Sequence, residues 1–299
     1  MNRLDLTGRG HLLERILEIP GLRGVSRRLI RAAGNRLALP LDLEVKLNVG
    51  ERPHYAYCVY HAAQLARRLG LKVISVIEFG VAGGNGLLFL DRLSPRVEQA
   101  TGVRIEVFGF DTGMGLPEVT VPEDLPYWFQ PSQYKMDVPK LEAQLTSAKL
   151  VLGNVAATVG DFFERYRPAP VGAMFNDLDL YTSTRDSLKL LDHAPEFFLP
   201  RVFFYFDDVV GTELEMYGES NGQLLALSEF NRTHDLIHIG MNQNLLARTD
   251  IDFRYQIYYG HLRAHPHYLQ YVGSSNQERI ESLLALRTEK SYGMTREAA

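Results

Sequence analysis

Two groups of acids are placed where carboxylates could act together. Asn176-Asp177-Leu178-Asp179-Leu180-Tyr181 follows the apolar run Val171 to Phe175, and Asp207-Asp208 follows the apolar run Val202 to Phe206. If the two runs are neighbouring strands, their ends lie roughly 4.8 Å apart, and the acids behind them converge on one point. Three or four carboxylates without cysteine or paired histidines favour a hard cation, with Mg²⁺ as first choice. Such an ion would hold a hydroxyl and ease loss of its proton. Asp177, Asp207 and Asp208 read first as metal ligands. The plainer reading makes these acids caps and turn residues: Ser183-Thr184-Arg185-Asp186 has the form of a capping box, and Asp179 serves either reading.

A second constellation lies upstream. The apolar run Val73 to Phe79 carries Glu78 near its end and runs into Gly80-Val81-Ala82-Gly83-Gly84-Asn85-Gly86, with a helical pattern from Leu87 to Leu93. Glycines let a backbone approach a ligand closely, and a helix start offers free N–H groups. Asp111 closes the next apolar run, where an acid can accept hydrogen bonds from two ribose hydroxyls. The spacing suits an adenosine ligand. Glu78 ahead of the glycines would repel a pyrophosphate and tolerate an ammonium group, and Gly80, Gly83, Gly84 and Gly86 do not form the dinucleotide G-x-G-x-x-G pattern. S-adenosylmethionine (SAM), with an ammonium and a sulfonium but no phosphate, meets this requirement. Together with the downstream acids, the pattern implies O-methylation by in-line displacement.

These residues need a scaffold. Strand candidates Val73 to Phe79, Ile105 to Phe110, Lys149 to Leu152, Val171 to Phe175 and Val202 to Phe206 alternate with helical patterns, the signature of βαβ units. Leu236 to Ile239 and Phe253 to Tyr259 stand too close for a crossover helix, which predicts an antiparallel closing pair. His54 to Leu69 predicts a helix stopped by Gly70, with Cys58 and His61 packed inside it. The expected fold is α/β, a Rossmann-like, mostly parallel seven-stranded sheet with an antiparallel closing strand and an N-terminal helical extension. The expected divisions are 1–70, a helical arm and cover; 71–275, the catalytic domain; and 276–299, a C-terminal helix and tail.

Composition narrows the function. The chain has 299 residues and a formal net charge of −4, with 32 Lys+Arg against 36 Asp+Glu, so no overall basic field gathers nucleic acid. A small-molecule acceptor fits better. Cys58, the only cysteine, excludes an internal disulfide and any cysteine-rich zinc site. Met1 to Leu22 has neither the form of a signal peptide nor that of a membrane span, so a cytoplasmic enzyme is expected. The arginine-rich, amphipathic first 36 residues read as an arm that packs on a partner subunit, giving a homo-oligomer, ahead of an arm that touches an anionic membrane or nucleic acid.

At this level the chain resembles the macrocin O-methyltransferase family of class I SAM-dependent enzymes. The resemblance is carried by Glu78-Phe-Gly-Val-Ala-Gly-Gly, Gly109-Phe-Asp-Thr-Gly-Met-Gly-Leu-Pro117, Asp177-Leu-Asp-Leu-Tyr-Thr-Ser-Thr184 and Tyr205-Phe-Asp-Asp208, within residues 70 to 232. It implies O-methylation of a hydroxyl on a small or glycosylated metabolite. It also implies that Asp177, Asp207 and Asp208 bind a divalent ion, that Glu78 and Gly80 form the methionine-side turn, that Asp111 is the ribose acid, and that Asn154 lies beside adenine. Metal-dependent catechol-type enzymes carry a lysine three positions after the first metal aspartate. Leu180 stands there in this chain, which leaves Asp177 or Asp179 as the catalytic proton acceptor.

Two other readings share parts of the pattern. A nicotinamide-dependent oxidoreductase has the same strand-glycine-helix start, and a non-catalytic binding protein could keep the fold and dock a partner through the arm. The aromatic segment Leu125-Pro-Tyr-Trp-Phe-Gln-Pro131 reads equally as a substrate lid and as a packed plug. The late histidines match no zinc spacing, and His261 is a minor general-base candidate.

Overall fold

The computed structural model describes residues 4–5 and 37–273. The arm is therefore represented only by a short parallel ladder between Leu4–Asp5 and Leu37–Ala38. The expected arm helix and the C-terminal tail from 276 lie outside the described residues. The chain forms one unit up to Leu269 and a second from Gln270, of which residues 270–273 are described and carry no regular structure.

Helix α1 (Leu41–Leu47) leads through a turn to α2 (Pro53–Arg68). Pro53 occupies the first helical position, where its missing N–H costs nothing and its fixed φ starts the turn. Tyr55, Ala56, Val59, Ala62, Ala63 and Ala66 recur at helical spacing and are buried. The alanines let α2 lie close against the sheet. Cys58 and His61 pack inside this layer, as expected; burial pushes the Cys58 thiol up and lowers His61 to about 4.

Seven strands form one sheet: β1 (Val73–Phe79), β2 (Arg104–Asp111), β3 (Lys149–Leu152), β4 (Val171–Asn176), β5 (Phe198–Phe206), β6 (Ile237–Met241) and β7 (Ile257–Leu262). Their spatial order is β3-β2-β1-β4-β5-β7-β6. The first five run parallel, and β7 is antiparallel to both β5 and β6. This is the Rossmann-like arrangement expected from the sequence. Between β6 and β7 only the four-residue helix Gln243–Leu246 and the 3₁₀ turn Asp252–Tyr255 intervene, so the chain returns beside the strand it has left.

Helix α3 (Asn85–Thr101) and α2 cover one face of the sheet. The other face is dominated by Phe79, Phe108, Phe110, Phe162, Phe198, Phe204 and Phe206. Both faces of β1 and β4 are covered, which explains their nearly unbroken apolar sequence.

Several expected boundaries shift. β2 includes Asp111, and β5 begins at Phe198, four residues before the expected Val202. The last two strands lie further along the chain than expected, because Phe253 is buried in a 3₁₀ turn rather than a strand. An apolar side chain fits either backbone, and the sequence pattern does not separate them. His261 is corrected more sharply. It lies in register with Arg201, six residues before Asp207, and so sits toward the other end of the sheet, with Nδ1 3.0 Å from the Tyr268 hydroxyl. It is no general base for this site.

Candidate active site

The parallel ladder continues one residue past each strand at its carboxyl end. Gly80 N–H donates to Phe110 O at 2.9 Å, Asp177 N–H to Phe79 O at 2.9 Å, and Asp207 N–H to Asn176 O at 3.0 Å. These bonds fix Gly80, Asp177 and Asp207 side by side along the sheet's edge. Gly80 has φ +84, and a Cβ there would lie 1.7 Å from Asp177 O, so only glycine lets the first turn cross so close to β4.

A cavity of about 390 Å³ opens over this edge, at the small end of ligand sites. One end is lined by Gly80, Ala82, Asp111, Gly153 and Asn154, the other by Asp177, Asp179, Asp207, Asp208 and Glu215. The two constellations read from sequence thus share one space. Six carboxylates line it, and no Lys, Arg or His is among its lining residues.

At the first end, Asp111 Oδ2 accepts from the N–H groups of Val81 and Ala82, both at 2.9 Å, and Oδ1 accepts from Gly113 N–H at 2.7 Å. Its carboxylate thus pins the glycine turn and keeps a face on the cavity. Asn154 lines the cavity while its Oδ1 caps the short helix Val155–Thr158 through Ala156 N–H, 2.9 Å. Gly83 and Gly84 do not line it. The turn crosses the cleft with Gly80 and Ala82, then bends away, leaving Gly83 exposed and Gly84 against Leu141.

Glu78 also differs from the expectation that it meets a ligand in the open. Its side chain is 2% exposed and lies beneath the first turn of α3, where a Cβ on Gly86 would sit 1.8 Å from Oε1. Tyr55 O–H donates to that oxygen at 2.6 Å, and Oε2 is buried without a partner. Burial raises Glu78 to about 7, although the Tyr55 hydrogen bond and the charge of Arg52 act in the opposite direction. No sequence signal links Tyr55 to Glu78, because the pair spans 23 residues and a change of element.

At the second end, ligand atoms of Asp177, Asp207 and Asp208 all lie within 4.8 Å of one another. Burial first, then repulsion by Asp207, Asp179 and Glu78, holds Asp177 well above the usual carboxylate range. Asp208 is raised by burial first, then by the charges of Asp179, Asp177 and Asp207. Asp179 is pushed up to about 7 by burial, Asp207 and Glu215.

The acids are held from behind. Tyr205 O–H donates to Asp207 Oδ1, and Gln256 Nε2 donates to Asp207 O at 3.0 Å. Asp208 Oδ2 accepts from Asp179 N–H at 2.9 Å, and Asp208 N–H donates to Gln223 Oε1 at 3.0 Å. Asp179 itself adopts φ +60, a conformation that aspartate tolerates better than most side chains. Glu215 and Tyr134, which also line the cavity, come from connecting segments with no motif to mark them.

The capping-box expectation fails. Helix α4 (Tyr181–Leu188) starts two residues before Ser183, and its N-cap, Leu180, has no side chain to offer. Asp124, 58 residues upstream and fully buried, replaces it, accepting from Thr182 N–H at 2.8 Å and Thr182 Oγ1 at 2.9 Å. The aromatic segment divides between its two readings. Leu125 and Phe129 are buried against Leu180, whereas Tyr127 and Trp128 are exposed, and Tyr127 O–H donates to Glu215 O at 2.9 Å.

No family model and no curated protein matches the chain. Solved structures of similar backbone include CalS11, a calicheamicin methyltransferase, at 17% identity over 83% of this chain and 95% of that one, TM-score 0.48. The O-methyltransferase NovP matches at 16% identity over 83% and 93%, TM-score 0.46. MycE, a methyltransferase of mycinamycin biosynthesis solved with Mg, S-adenosylhomocysteine and mycinamycin VI, matches at 12% identity over 84% and 62%, TM-score 0.39. The likeness is one of fold. No helix among the described residues is long and apolar enough to cross a membrane.

Proposed function

We propose that the chain is a SAM-dependent O-methyltransferase of the macrocin type, assisted by a divalent cation, Mg²⁺ first, and acting on a hydroxyl of a small or glycosylated metabolite. One observation carries this reading: a single cavity joins the turn of Gly80 and Asp111 to the cluster of Asp177, Asp207 and Asp208. Six carboxylates around it oppose a pyrophosphate, which weighs against a nicotinamide cofactor, and favour a ligand bearing an ammonium and a sulfonium.

The all-oxygen donor set and the mutual repulsion of its members fit a hard cation. Asp177, Asp207 and Asp208 would hold it, with Tyr205 and the Asp179 N–H orienting the carboxylates of Asp207 and Asp208 and Gln256 holding the Asp207 carbonyl. A divalent ion bound there supplies Lewis-acid activation and orientation of the acceptor hydroxyl. Asp179, beside the cluster and on the cavity wall, takes the hydroxyl proton. The acceptor oxygen then attacks the methyl carbon, and the C–S bond breaks with its electron pair going to sulfur, leaving a neutral thioether. Asp111 serves the ribose hydroxyls, and Gly80, Ala82 and Asn154 complete the cofactor wall.

Calorimetric titration of the full chain with SAM should give saturable binding. Absence of binding at millimolar SAM overturns the reading. Transfer to a panel of phenolic and glycosidic hydroxyls should stop in EDTA and return with Mg²⁺, and full activity in EDTA removes the cation from the proposal.

A further inference from the structure

Six carboxylates line the cavity, and five have a task in the transfer proposed above. Asp177, Asp207 and Asp208 meet the cation, Asp179 the acceptor proton and Asp111 the ribose. Glu215 has none. It also falls outside the group of carboxylates whose ligand atoms lie within 4.8 Å of one another. A divalent ion and the net positive charge of SAM offset about half of the six charges, and no Lys, Arg or His lines the wall to offset the rest.

Glu215 is nonetheless built into the wall. It lies in the segment between the end of β5 and the helix Gly222–Thr233. Its neighbours Leu214 and Met216 are 66% and 65% exposed, whereas Glu215 is partly buried and lines the cavity. Apolar side chains outward and a charge inward reverse the usual order. Met216 adopts φ +55, and Tyr134, on the same cavity wall, φ +62; bulky residues keep such a backbone only where their surroundings impose it. The carboxylate is fixed by the Thr212 N–H, which donates to Oε2, and the Glu215 carbonyl accepts from Tyr127 O–H at 2.9 Å. A Cβ on Gly211 would sit 2.4 Å from Oε2, so glycine makes room for it. Oε1 has no donor among the described residues. Burial comes first in raising Asp179, Tyr134 and Tyr217, and the charge of Glu215 adds to all three. The acid therefore faces the acceptor end of the cavity.

We propose that Glu215 recognises a protonated amine on the acceptor, so that the substrate is a hydroxylated metabolite carrying an amino group. An ammonium donates a charge-assisted hydrogen bond to Oε1, and the Tyr134 ring on the same wall offers it an aromatic face. The proposal rests on the SAM reading above, and the experiment separates the two.

The full chain is assayed with SAM, Mg²⁺ and two matched acceptor pairs: tyramine with N-acetyltyramine, and methyl glucosaminide with its N-acetyl derivative. In each pair acetylation removes the positive charge and keeps the hydroxyls. In at least one pair the amine should give O-methyl product with kcat/KM roughly 10- to 100-fold above its neutral partner, the range for hydrogen bonds to a charged group. Glu215→Gln should erase that preference through KM, and Glu215→Asp should keep part of it. Equal use of amine and neutral partner in both pairs overturns the proposal, and so does transfer to none of these acceptors while calorimetry shows SAM bound. A preference unchanged in Glu215→Gln, or an equal loss for both partners, overturns it as well. Wild type that does not bind SAM overturns the methyltransferase reading itself.

Discussion

Glu78 shows how little a residue's type says about its contact with a ligand. An acid before a glycine turn can face a ligand or lie under the turn, and the Tyr55 hydroxyl together with the bare Cα of Gly86 decides for the second. The consequence is a pH-dependent stability. With the folded carboxyl raised to about 7 and the unfolded one in the ordinary Glu range, the native state holds the extra proton between those values, so stability falls as pH rises through that window. In metal-free buffer the urea midpoint of wild type should fall more steeply from pH 5 to 7.5 than that of Glu78→Gln, with a difference of up to about 3 kcal/mol. Parallel curves would mean that Glu78 is ionised in the fold without penalty. The acids at 177, 207 and 208 were legible as a group because strand ends are legible; Glu215 and Tyr134 were not, since connecting segments carry no periodicity to place them.

Among elements, α4 is the one whose start the sequence misplaces. Ser183 and Asp186 have the spacing of a local cap, but the helix begins earlier, and Asp124 satisfies its first turn from a different segment. Local spacing cannot compete with a buried carboxylate that reaches two donors at once. Asp124→Ala should cost about 1–2 kcal/mol in urea denaturation, the upper range for a lost helix cap. Ser183→Ala should stay within about 0.5 kcal/mol. The reverse order would restore the capping box. The same logic places β7: its partner was predicted by a short link, but its bounds depended on Phe253, which packs equally well from a 3₁₀ turn.

On the scale of the whole molecule, the acid cluster ties β4, β5 and their following segments into one edge that repels itself. Asp208→Asn removes one repulsive charge and keeps an acceptor for the Asp179 N–H, so in EDTA the variant should melt above wild type. Mg²⁺ should reverse the order. Wild type gains about 2.7 kcal/mol at an ion concentration 100-fold over its dissociation constant, and the variant gains less. Calorimetric melts of both proteins with and without Mg²⁺ measure this directly. A wild-type melting temperature that ignores Mg²⁺ would rule out the cluster as a cation site.

The amino-acid sequence by itself determined the strands, the antiparallel return and the two constellations at their ends, because burial on both faces writes a strand as an apolar run and the residues after it fall at the edge. Tertiary structure alone decided that Gly80 and Asp111 share a cavity with Asp177 and Asp207, that Glu78 is sealed beneath α3, and that Asp124 caps α4. The cavity, the Tyr55–Glu78 hydrogen bond and the Asp124 cap each join residues more than 20 positions apart, where contact depends on packing between elements rather than on any repeat along the chain.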